Sequence, residues 1–379
     1  MIIDAHMHAF PCLERPYGDR PLAMQNMYLQ RFVASSPASA VRRASDGQIE
    51  TDQEKYRLWD EGDKSPKGAL DVNFRAGRFG RLQWDRSGET YYLPLYAPNM
   101  QHLESPPEFL IAHMDNAGVD VGILQNAFLY GDLNDFFADA VKKYPNRFIG
   151  TIQVNESRAD QPDEMAKLKK AVLEHGLKAL YYANERFFEA DFAINFDNER
   201  FDRFWNSVRE YELPVFWDVT AIAEKGDKAM GPFQRFLKQM QRLEAWHKRF
   251  PEIPCILVHG VPLRNIRDKD TFIPIAEDLW RVWKRPNMYL ELLFPMQVSH
   301  PVPGGSIWEY PYSEIHPLIA DLAGQLGVEK LVWGTDLPNC ERNCTYRQAR
   351  NYLQQSGSPL GAEDLKLIFG ENIKRIFAL

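Results

Sequence analysis

Eight short apolar runs alternate with longer amphipathic stretches, and this alternation limits the folds open to the chain more than any other feature of its sequence. Short runs rich in β-branched and aromatic residues are typical of buried strands, and the stretches between them have the apolar spacing of helices. No Gly-x-Gly-x-x-Gly pattern follows any run, which argues against an open dinucleotide-binding sheet. We therefore predict an α/β fold, a (β/α)8 TIM-type barrel. Its predicted strands are Ile2 to His6, Val121 to Gln125, Phe148 to Val154, Lys178 to Tyr182, Leu213 to Asp218, Cys255 to His259, Met288 to Leu293 and Leu331 to Thr335.

Residues 11–107 interrupt the alternation. This stretch is rich in Arg, Asp, Gly, Pro, Trp and Tyr and has little periodicity. Because it leaves the first strand at its C-terminal end, where barrel active sites lie, we predict an insertion that roofs the active site. The alternative is a surface embellishment or a contact between copies of the chain. With this insertion included, residues 1–379 are predicted to form a single barrel domain.

The composition of the chain indicates which kinds of molecule it can bind. The chain has 379 residues and a formal net charge of −7, which argues against a nucleic-acid interface because such an interface needs a basic face. We find neither a signal peptide nor an apolar run long enough to cross a bilayer, so we expect a cytoplasmic protein with reduced thiols. The expected partner is a small molecule. A homo-oligomer, in the first place a dimer, is a further expectation because the insertion could supply a contact.

Several predicted strands end in potential metal ligands. His6 and His8 stand two residues apart on the first strand, where side chains project to the same face. Since a barrel brings the C-terminal ends of its strands together, ligands from different strands should gather at one end. Neutral imidazoles and carboxylates suit zinc, manganese or iron. The candidates on the strands are Asp4, His6, His8, Asp218, His259 and Asp336.

Three of these strand ends resemble a known family. IIDAHMH, ILVHG and WGTDLP are similar to the first, sixth and eighth strand motifs of the amidohydrolase superfamily. More narrowly, MDNAGVDVGIL, YPNRFIG and FGENIKRIF resemble the branch that contains aminocarboxymuconate-semialdehyde decarboxylase and γ-resorcylate decarboxylase. The resemblance covers roughly residues 1–10 and 108–379. It implies that His6, His8 and Asp336 bind a metal and that His259 is a catalytic or substrate-polarising residue beside it.

The fifth strand departs from the family pattern. PVFWDV ends in Asp218 where the family usually has a histidine. A carboxylate there would shift metal preference from zinc toward manganese if it binds the ion directly, which is the interpretation we adopt. Alternatively, Asp218 orients His259. Lys178 opens the fourth strand and so is not placed to bridge two ions. We therefore predict one divalent metal ion, zinc or manganese, bound by His6, His8, Asp218 and Asp336.

The predicted reaction follows from the resemblance and from the aromatic-rich composition. We expect non-oxidative decarboxylation of a small aromatic or conjugated carboxylic acid, in which Asp336 delivers a proton and His259 stabilises an anionic oxygen. The alternative is hydrolysis of an amide, lactone or carbon–carbon bond by a metal-activated water, with Asp336 as the base. The residues predicted to contact the carboxylic acid substrate are Arg264, Tyr182, Trp217 and Phe294.

Overall fold

The eight predicted strands are all present, and they form one parallel sheet in which each pairs with the next along the chain. The computed structural model describes residues 1–18, 20–35, 40–222, 224, 227–298, 302 and 304–379. A parallel bridge between Met7 and Leu337 joins the first strand to the segment after the last, so the sheet closes into the predicted barrel. We number its strands β1 (Ile3–Met7), β2 (Val121–Leu124), β3 (Phe148–Ile152), β4 (Ala179–Ala183), β5 (Val215–Asp218), β6 (Cys255–Val258), β7 (Met288–Leu292) and β8 (Leu331–Trp333).

Helices follow the strands and cover the barrel. Proline opens several of them, at Pro107, Pro162 and Pro232, where the missing N–H costs no hydrogen bond. Gly118 ends the first of these in a left-handed conformation, with φ of 69°. No helix of the described residues has the length and apolar character needed to span a membrane. From residue 107 onward, the described α-helices of five or more residues are Pro107–Ala117, Asn134–Lys143, Pro162–Leu173, Asp202–Glu210, Pro232–Arg249, Glu277–Trp283, His316–Leu326, Tyr346–Asn351, Ala362–Lys366 and Asn372–Phe377.

Residues 11–107 contain a helix and a small antiparallel sheet. The helix is Leu22–Ser35, and the central hairpin pairs Arg81–Arg86 with Glu89–Pro94. Ser87 and Gly88 join the two hairpin strands, and both have positive φ, as a tight two-residue hairpin turn requires. The apolar residues of this sheet and helix are continuous with the core outside the barrel.

The first barrel strand contains an irregularity that matters for the site. Asp4 pairs with Gly122 and Met7 with Leu124, so three steps along β1 match two steps along β2. One extra residue in a strand breaks the strict alternation of its side chains. Side chains before and after this point therefore need not share a face.

The closed end of the barrel lies at the start of the strands. Alternate positions of the strands fill the interior with apolar side chains, among them Ile123, Ile149 and Phe216. The helix Asn372–Phe377 covers this end, where its Ile373 joins the same cluster. The opposite end, where the strands finish, is left for polar residues.

Candidate metal centre and cleft

Four of the predicted site residues converge where the strands end. Nε2 of His6 lies 2.9 Å from Nε2 of His8 and 3.6 Å from Oδ1 of Asp336. Nε2 of His8 lies 3.0 Å from the same Oδ1. On the other side of Asp336, Oδ2 lies 3.6 Å from Nε2 of His259. His6, His259 and Asp336 also form a group whose ligand atoms are close enough to share one ion.

The second nitrogens of His6 and His8 explain why the Nε2 atoms are available as ligands. Nδ1 of His6 lies 2.8 Å from Oε2 of Glu291, and Nδ1 of His8 lies 2.9 Å from the carbonyl oxygen of Gln125. A carboxylate and a carbonyl only accept hydrogen bonds, so each Nδ1 must donate. In the neutral imidazoles, both Nε2 atoms then carry lone pairs. Two lone pairs and a carboxylate oxygen at these distances repel one another unless a cation lies between them.

The pKa shifts of the cluster also indicate that it favours a positive charge between His6, His8 and Asp336. Burial opposes a charge on His6, but the carboxylates of Glu291 and Asp336 nevertheless raise its pKa to about 9. Burial likewise works against ionised Asp336, yet the neighbouring His6, His259 and His8 hold its pKa well below the usual value. The cluster thus favours positive charge at its centre and an ionised Asp336.

Backbone strain marks the two residues that face each other across the site. His259 follows β6 with φ of 54°, and Asp336 follows β8 with φ of 59°. Residues other than glycine rarely adopt this left-handed conformation, and it concentrates at functional sites. Asn339 donates a hydrogen bond of 2.7 Å to Oδ1 of Asp336, which fixes the carboxylate further.

The structure places Asp218 beside His259 and not among the closest donors. Oδ1 of Asp218 lies 3.9 Å from Nδ1 of His259, and its Oδ2 accepts a 2.7 Å hydrogen bond from the hydroxyl of Tyr181. The imidazole of His259 therefore has Asp218 on one side and Asp336 on the other. Direct ligation by Asp218 stays a prediction, and these contacts favour the alternative in which Asp218 orients His259.

Asp4 does not join the cluster. Its carboxylate accepts hydrogen bonds from the backbone N–H and hydroxyl of Thr335 and from the hydroxyl of Tyr346, in a helix outside the barrel. The extra residue in β1 accounts for this, because it separates the face of Asp4 from that of His6. Asp4 instead connects the first strand to the segment after the last.

A cleft of about 880 Å³ adjoins this cluster at His259. His259 lines it together with residues of the insertion, including Arg31 and Lys64. The described lining residues include four cations and a single acid, Glu185, so the cleft suits an anionic ligand. The cations are Arg31, Lys64, Arg235 and Arg264.

Of the predicted substrate contacts, only Arg264 reaches this cleft. Tyr182 and Trp217 are fully buried and pack against each other with ring centroids 4.8 Å apart, outside the barrel. Strand alternation explains this, because their neighbours Tyr181 and Asp218 face inward. Phe294 is also buried, at 1% exposure, and does not line the cleft.

Sequence reasoning missed Glu291, whose carboxylate accepts hydrogen bonds from three residues of the site. It accepts from Nδ1 of His6, from the side chain of Gln125 at 3.2 Å and from the backbone N–H of His259 at 3.2 Å. The available signal was a lone acid within the apolar strand β7, since a buried carboxylate is rare without a partner.

Aromatic residues missed by sequence reasoning close the other side of His8. The ring centroid of Tyr130 lies 5.1 Å from that of His8, and Phe10 stacks on Tyr130 at 4.4 Å. Tyr130 also shares a hydrogen bond with Tyr96 of the insertion. These rings restrict access of water to the imidazole from this direction.

Comparisons with known proteins agree with the fold. The model of a family described as amidohydrolase matches residues 3–379. No protein with a curated function matches the chain. Among solved structures, the chain is similar to a dihydroxybenzoic acid decarboxylase from Polaromonas sp. JS666, with bound manganese and the inhibitor 2-nitroresorcinol. That match has 18% identity and a TM-score of 0.50, and it covers 71% of this chain and 85% of that one.

Two further solved structures match with slightly higher TM-scores. A 2,6-dihydroxybenzoate decarboxylase from Rhizobium is 16% identical, with a TM-score of 0.52, over 73% of this chain and 89% of the other. A protein described as a probable 2-pyrone-4,6-dicarboxylic acid hydrolase from Acinetobacter baumannii, with citric acid bound, has 16% identity and a TM-score of 0.52, over 73% and 90%. At these identities the likeness establishes the barrel fold.

Proposed function

The chain belongs to the amidohydrolase family, and from that premise we propose that it is a metal-dependent, non-oxidative decarboxylase of a small aromatic or conjugated carboxylic acid. The observation that carries the proposal is the convergence of His6, His8 and Asp336 beside His259, which lines a cationic cleft. The likeness to two aromatic-acid decarboxylases supports this reaction.

The donor set fits one divalent ion. His6, His8 and Asp336 would hold it, because two imidazole lone pairs and a carboxylate oxygen already point to one place. Imidazole and carboxylate together suit zinc or manganese. When bound, the ion supplies a Lewis acid that attracts the substrate carboxylate and a neighbouring hydroxyl or enol oxygen.

Asp336 and His259 are the residues we assign to proton transfer and charge stabilisation. Asp336, which is ionised in the resting site, would first take a proton from solvent and then deliver it to the carbon that bears the carboxylate. Carbon dioxide then leaves with cleavage of that carbon–carbon bond, and the bonding electrons restore the conjugated system. His259, held between Asp218 and Asp336, would stabilise the developing negative charge on the neighbouring oxygen.

The cationic cleft supports a carboxylic acid as the substrate. Arg264 lines the same cleft as His259 and can pair with a carboxylate through two parallel hydrogen bonds. The apolar part of the lining, which includes Phe192, Phe233 and Phe236, suits a planar ring or conjugated chain.

The direct test is release of carbon dioxide. Purified, metal-loaded enzyme would be incubated in deuterated water with hydroxybenzoates and conjugated semialdehyde acids. We expect carbon dioxide from at least one of these acids, with one deuterium on the carbon that lost it. No carbon dioxide from any acid of such a panel would refute the proposed reaction.

Metal binding is tested separately by equilibrium dialysis with manganese and zinc. We expect His6→Ala and His8→Ala each to lose tight binding and turnover while the barrel stays folded, because both side chains lie at its mouth and not in its packed interior. His175→Ala is the matched control, because His175 pairs with Asp135 in a different region. Wild-type metal content in the His6 and His8 variants would contradict the ligand assignment.

Hydrolysis is the second candidate, and the likeness to the probable 2-pyrone-4,6-dicarboxylic acid hydrolase favours it. The same donors would activate a water, and Asp336 would act as the base. Incorporation of ¹⁸O from solvent into the product indicates hydrolysis, whereas deuterium on a ring or vinyl carbon indicates decarboxylation.

A further inference from the structure

Arg31 of the insertion has an unusual setting in the cleft. It lies in the helix Leu22–Ser35 and lines the same cleft as His259, yet it is only 7% exposed. Three aromatic rings surround its guanidinium group: the ring centroids of Trp59, Phe188 and Phe192 lie 5.3, 5.2 and 6.0 Å from its central carbon. Such rings stabilise a cation from the sides but accept no strong hydrogen bond.

Among the described residues, the polar atoms of this guanidinium have no hydrogen-bond or ion-pair partner. Its Nε is buried without a hydrogen bond, and no described residue forms an ion pair with it. Glu185 is the acid whose charge acts on Arg31, but its carboxyl group accepts a hydrogen bond from Ser35. Burial also raises the pKa of Glu185 to about 7, so its negative charge is incomplete near neutral pH.

A second buried arginine, Arg186, differs from Arg31 because its guanidinium has several partners within the protein. Arg186 donates a 3.0 Å hydrogen bond to Glu189 and a 3.3 Å hydrogen bond to the carbonyl of Val154, and it lies 3.8 Å from Glu156. Leaving a buried charge unpaired costs several kcal/mol. A guanidinium that is enclosed by rings, has no partner among the residues that the structure describes and opens to a cleft is therefore suited to an anion from outside the chain.

We propose that Arg31 binds a second anionic group of the substrate, so that the substrate is a dianion with one carboxylate at the His6, His8 and Asp336 cluster and another at Arg31. This inference rests on the proposed decarboxylase function and narrows its substrate class to dicarboxylic acids or their equivalents. The planar guanidinium would grip the remote group with two hydrogen bonds, and the rings of Trp59, Phe188 and Phe192 would exclude water from that pair.

The proposal predicts a preference for dianions that depends on Arg31. Isothermal titration of manganese-loaded enzyme would compare benzoate with isophthalate and terephthalate, which differ from it by one carboxylate. Wild type should bind the better dicarboxylate about 10-fold or more tightly than benzoate, since a desolvated arginine pair is worth at least that much. In Arg31→Met this ratio should fall to near one with benzoate affinity unchanged, and Arg31→Lys should recover part of it.

Lys64→Met is the matched control, because Lys64 lines the same cleft but is not part of the aromatic cage. If a general positive field causes the preference, Lys64→Met will reduce the ratio as much as Arg31→Met does, and the proposal is overturned. Thermal unfolding separates binding from structure. Arg31→Met should unfold at the same temperature or a higher one, because it removes an unpaired buried charge, whereas a structural arginine would lose stability.

The remaining outcomes distinguish this inference from the function on which it rests. If the enzyme releases carbon dioxide from a monocarboxylate and shows no Arg31-dependent preference, the proposed function stands and the inference fails. Wild-type enzyme that binds no dicarboxylate better than benzoate also overturns the inference. Sulfobenzoate and phosphonobenzoate, titrated in parallel, identify which anionic group Arg31 prefers.

Discussion

Asp336 and His259 hold their side chains over the barrel mouth through a backbone conformation that most residues avoid, with φ of 59° and 54°. Each such residue costs on the order of 1–3 kcal/mol, and the surrounding structure must supply that energy. Asparagine tolerates this conformation better than most side chains do. It is therefore the substitution that removes chemistry with the least change in shape.

Asp336→Asn should retain the metal but lose turnover by about 100-fold or more, because an amide still offers an oxygen but cannot transfer a proton near neutral pH. Asp336→Ala, which lacks the ligand atom, should lose the metal as well. Metal analysis and product formation on both variants provide the test. Near-normal turnover in Asp336→Asn would move the acid–base role to another residue, with His259 the first candidate.

A comparison of two variants tests the role of Asp218. If it is a ligand, Asp218→Ala should weaken metal affinity by about 10-fold or more and Tyr181→Phe should have little effect. If it orients His259, both variants should slow turnover while manganese and zinc remain bound, because Tyr181 donates to the same carboxylate. Chelator competition together with turnover distinguishes the two. Unchanged behaviour of Asp218→Ala in both assays excludes both roles.

At this scale, motif and strand position predicted His6, His8, His259 and Asp336 correctly as neighbours. They could not predict Glu291 or Arg31, since neither follows a strand end and both acquire their role through contacts with distant segments. Tyr182 and Trp217 were expected in the pocket, but a shift of one position along a strand reverses the face.

At the scale of single elements, the sequence contained the number and order of the strands but not their irregularities. Apolar runs and turn residues locate β1 to β8 to within a few residues, because burial on both faces demands such runs. The extra residue in β1 leaves no mark in that pattern. It arises from pairing with β2, and it decides that Asp4 faces the outer helix while His6 faces the site.

The segment after β3 contains a buried acid with a predictable effect on stability. Burial raises the pKa of Glu156 to about 7 from an ordinary value of 4.5. As pH rises between these values, the unfolded chain releases the proton while the folded chain retains it, so the free energy of unfolding falls. Glu156→Gln should abolish this fall. Its stability relative to wild type should rise by roughly 2–3 kcal/mol between pH 5 and pH 8, as measured by urea unfolding.

Glu189→Gln is the matched control of opposite sign. Although burial opposes it, Arg186, Tyr28 and Asn155 hold the pKa of Glu189 below its usual value. The stability from this group is present above the unfolded pKa and is lost as pH falls through the lower folded value. The variant should thus be less stable than wild type at pH 7. A Glu156→Gln variant with the pH profile of wild type would show that Glu156 is not the group responsible.

At the scale of the whole molecule, one end of the barrel closes the apolar core and the other carries the candidate site. The helix Asn372–Phe377 closes the end where the strands begin, and the candidate metal centre lies where they finish. Because the two ends are separate, the stability of the fold and the binding of metal can be tested independently. The roofing role of residues 11–107 and the assembly of copies of the chain remain predictions.

Ile373→Ala should lower the free energy of unfolding by about 2–5 kcal/mol, because it leaves a cavity among fully buried side chains. Manganese affinity should stay unchanged in the folded variant. Leu379→Ala is the control, because Leu379 is 48% exposed and should change stability little. Denaturant unfolding and metal titration of both variants provide the measurement. A large loss of metal affinity in Ile373→Ala would contradict the separation of the two ends.

The closure of the barrel also determines when the residues of the candidate site can come together. His6 and His8 precede Asp336 by some 330 positions in the chain. The contacts that hold them together, from Asp336 N–H to the carbonyl of His6 and from His8 N–H to the carbonyl of Leu337, form only when the ring of strands is complete. Before this closure, His6 and His8 lack the contacts that place Asp336 beside them. If His6, His8 and Asp336 bind the ion as proposed, tight binding requires the closed barrel, and metal affinity would distinguish the finished barrel from chains that have not yet closed it.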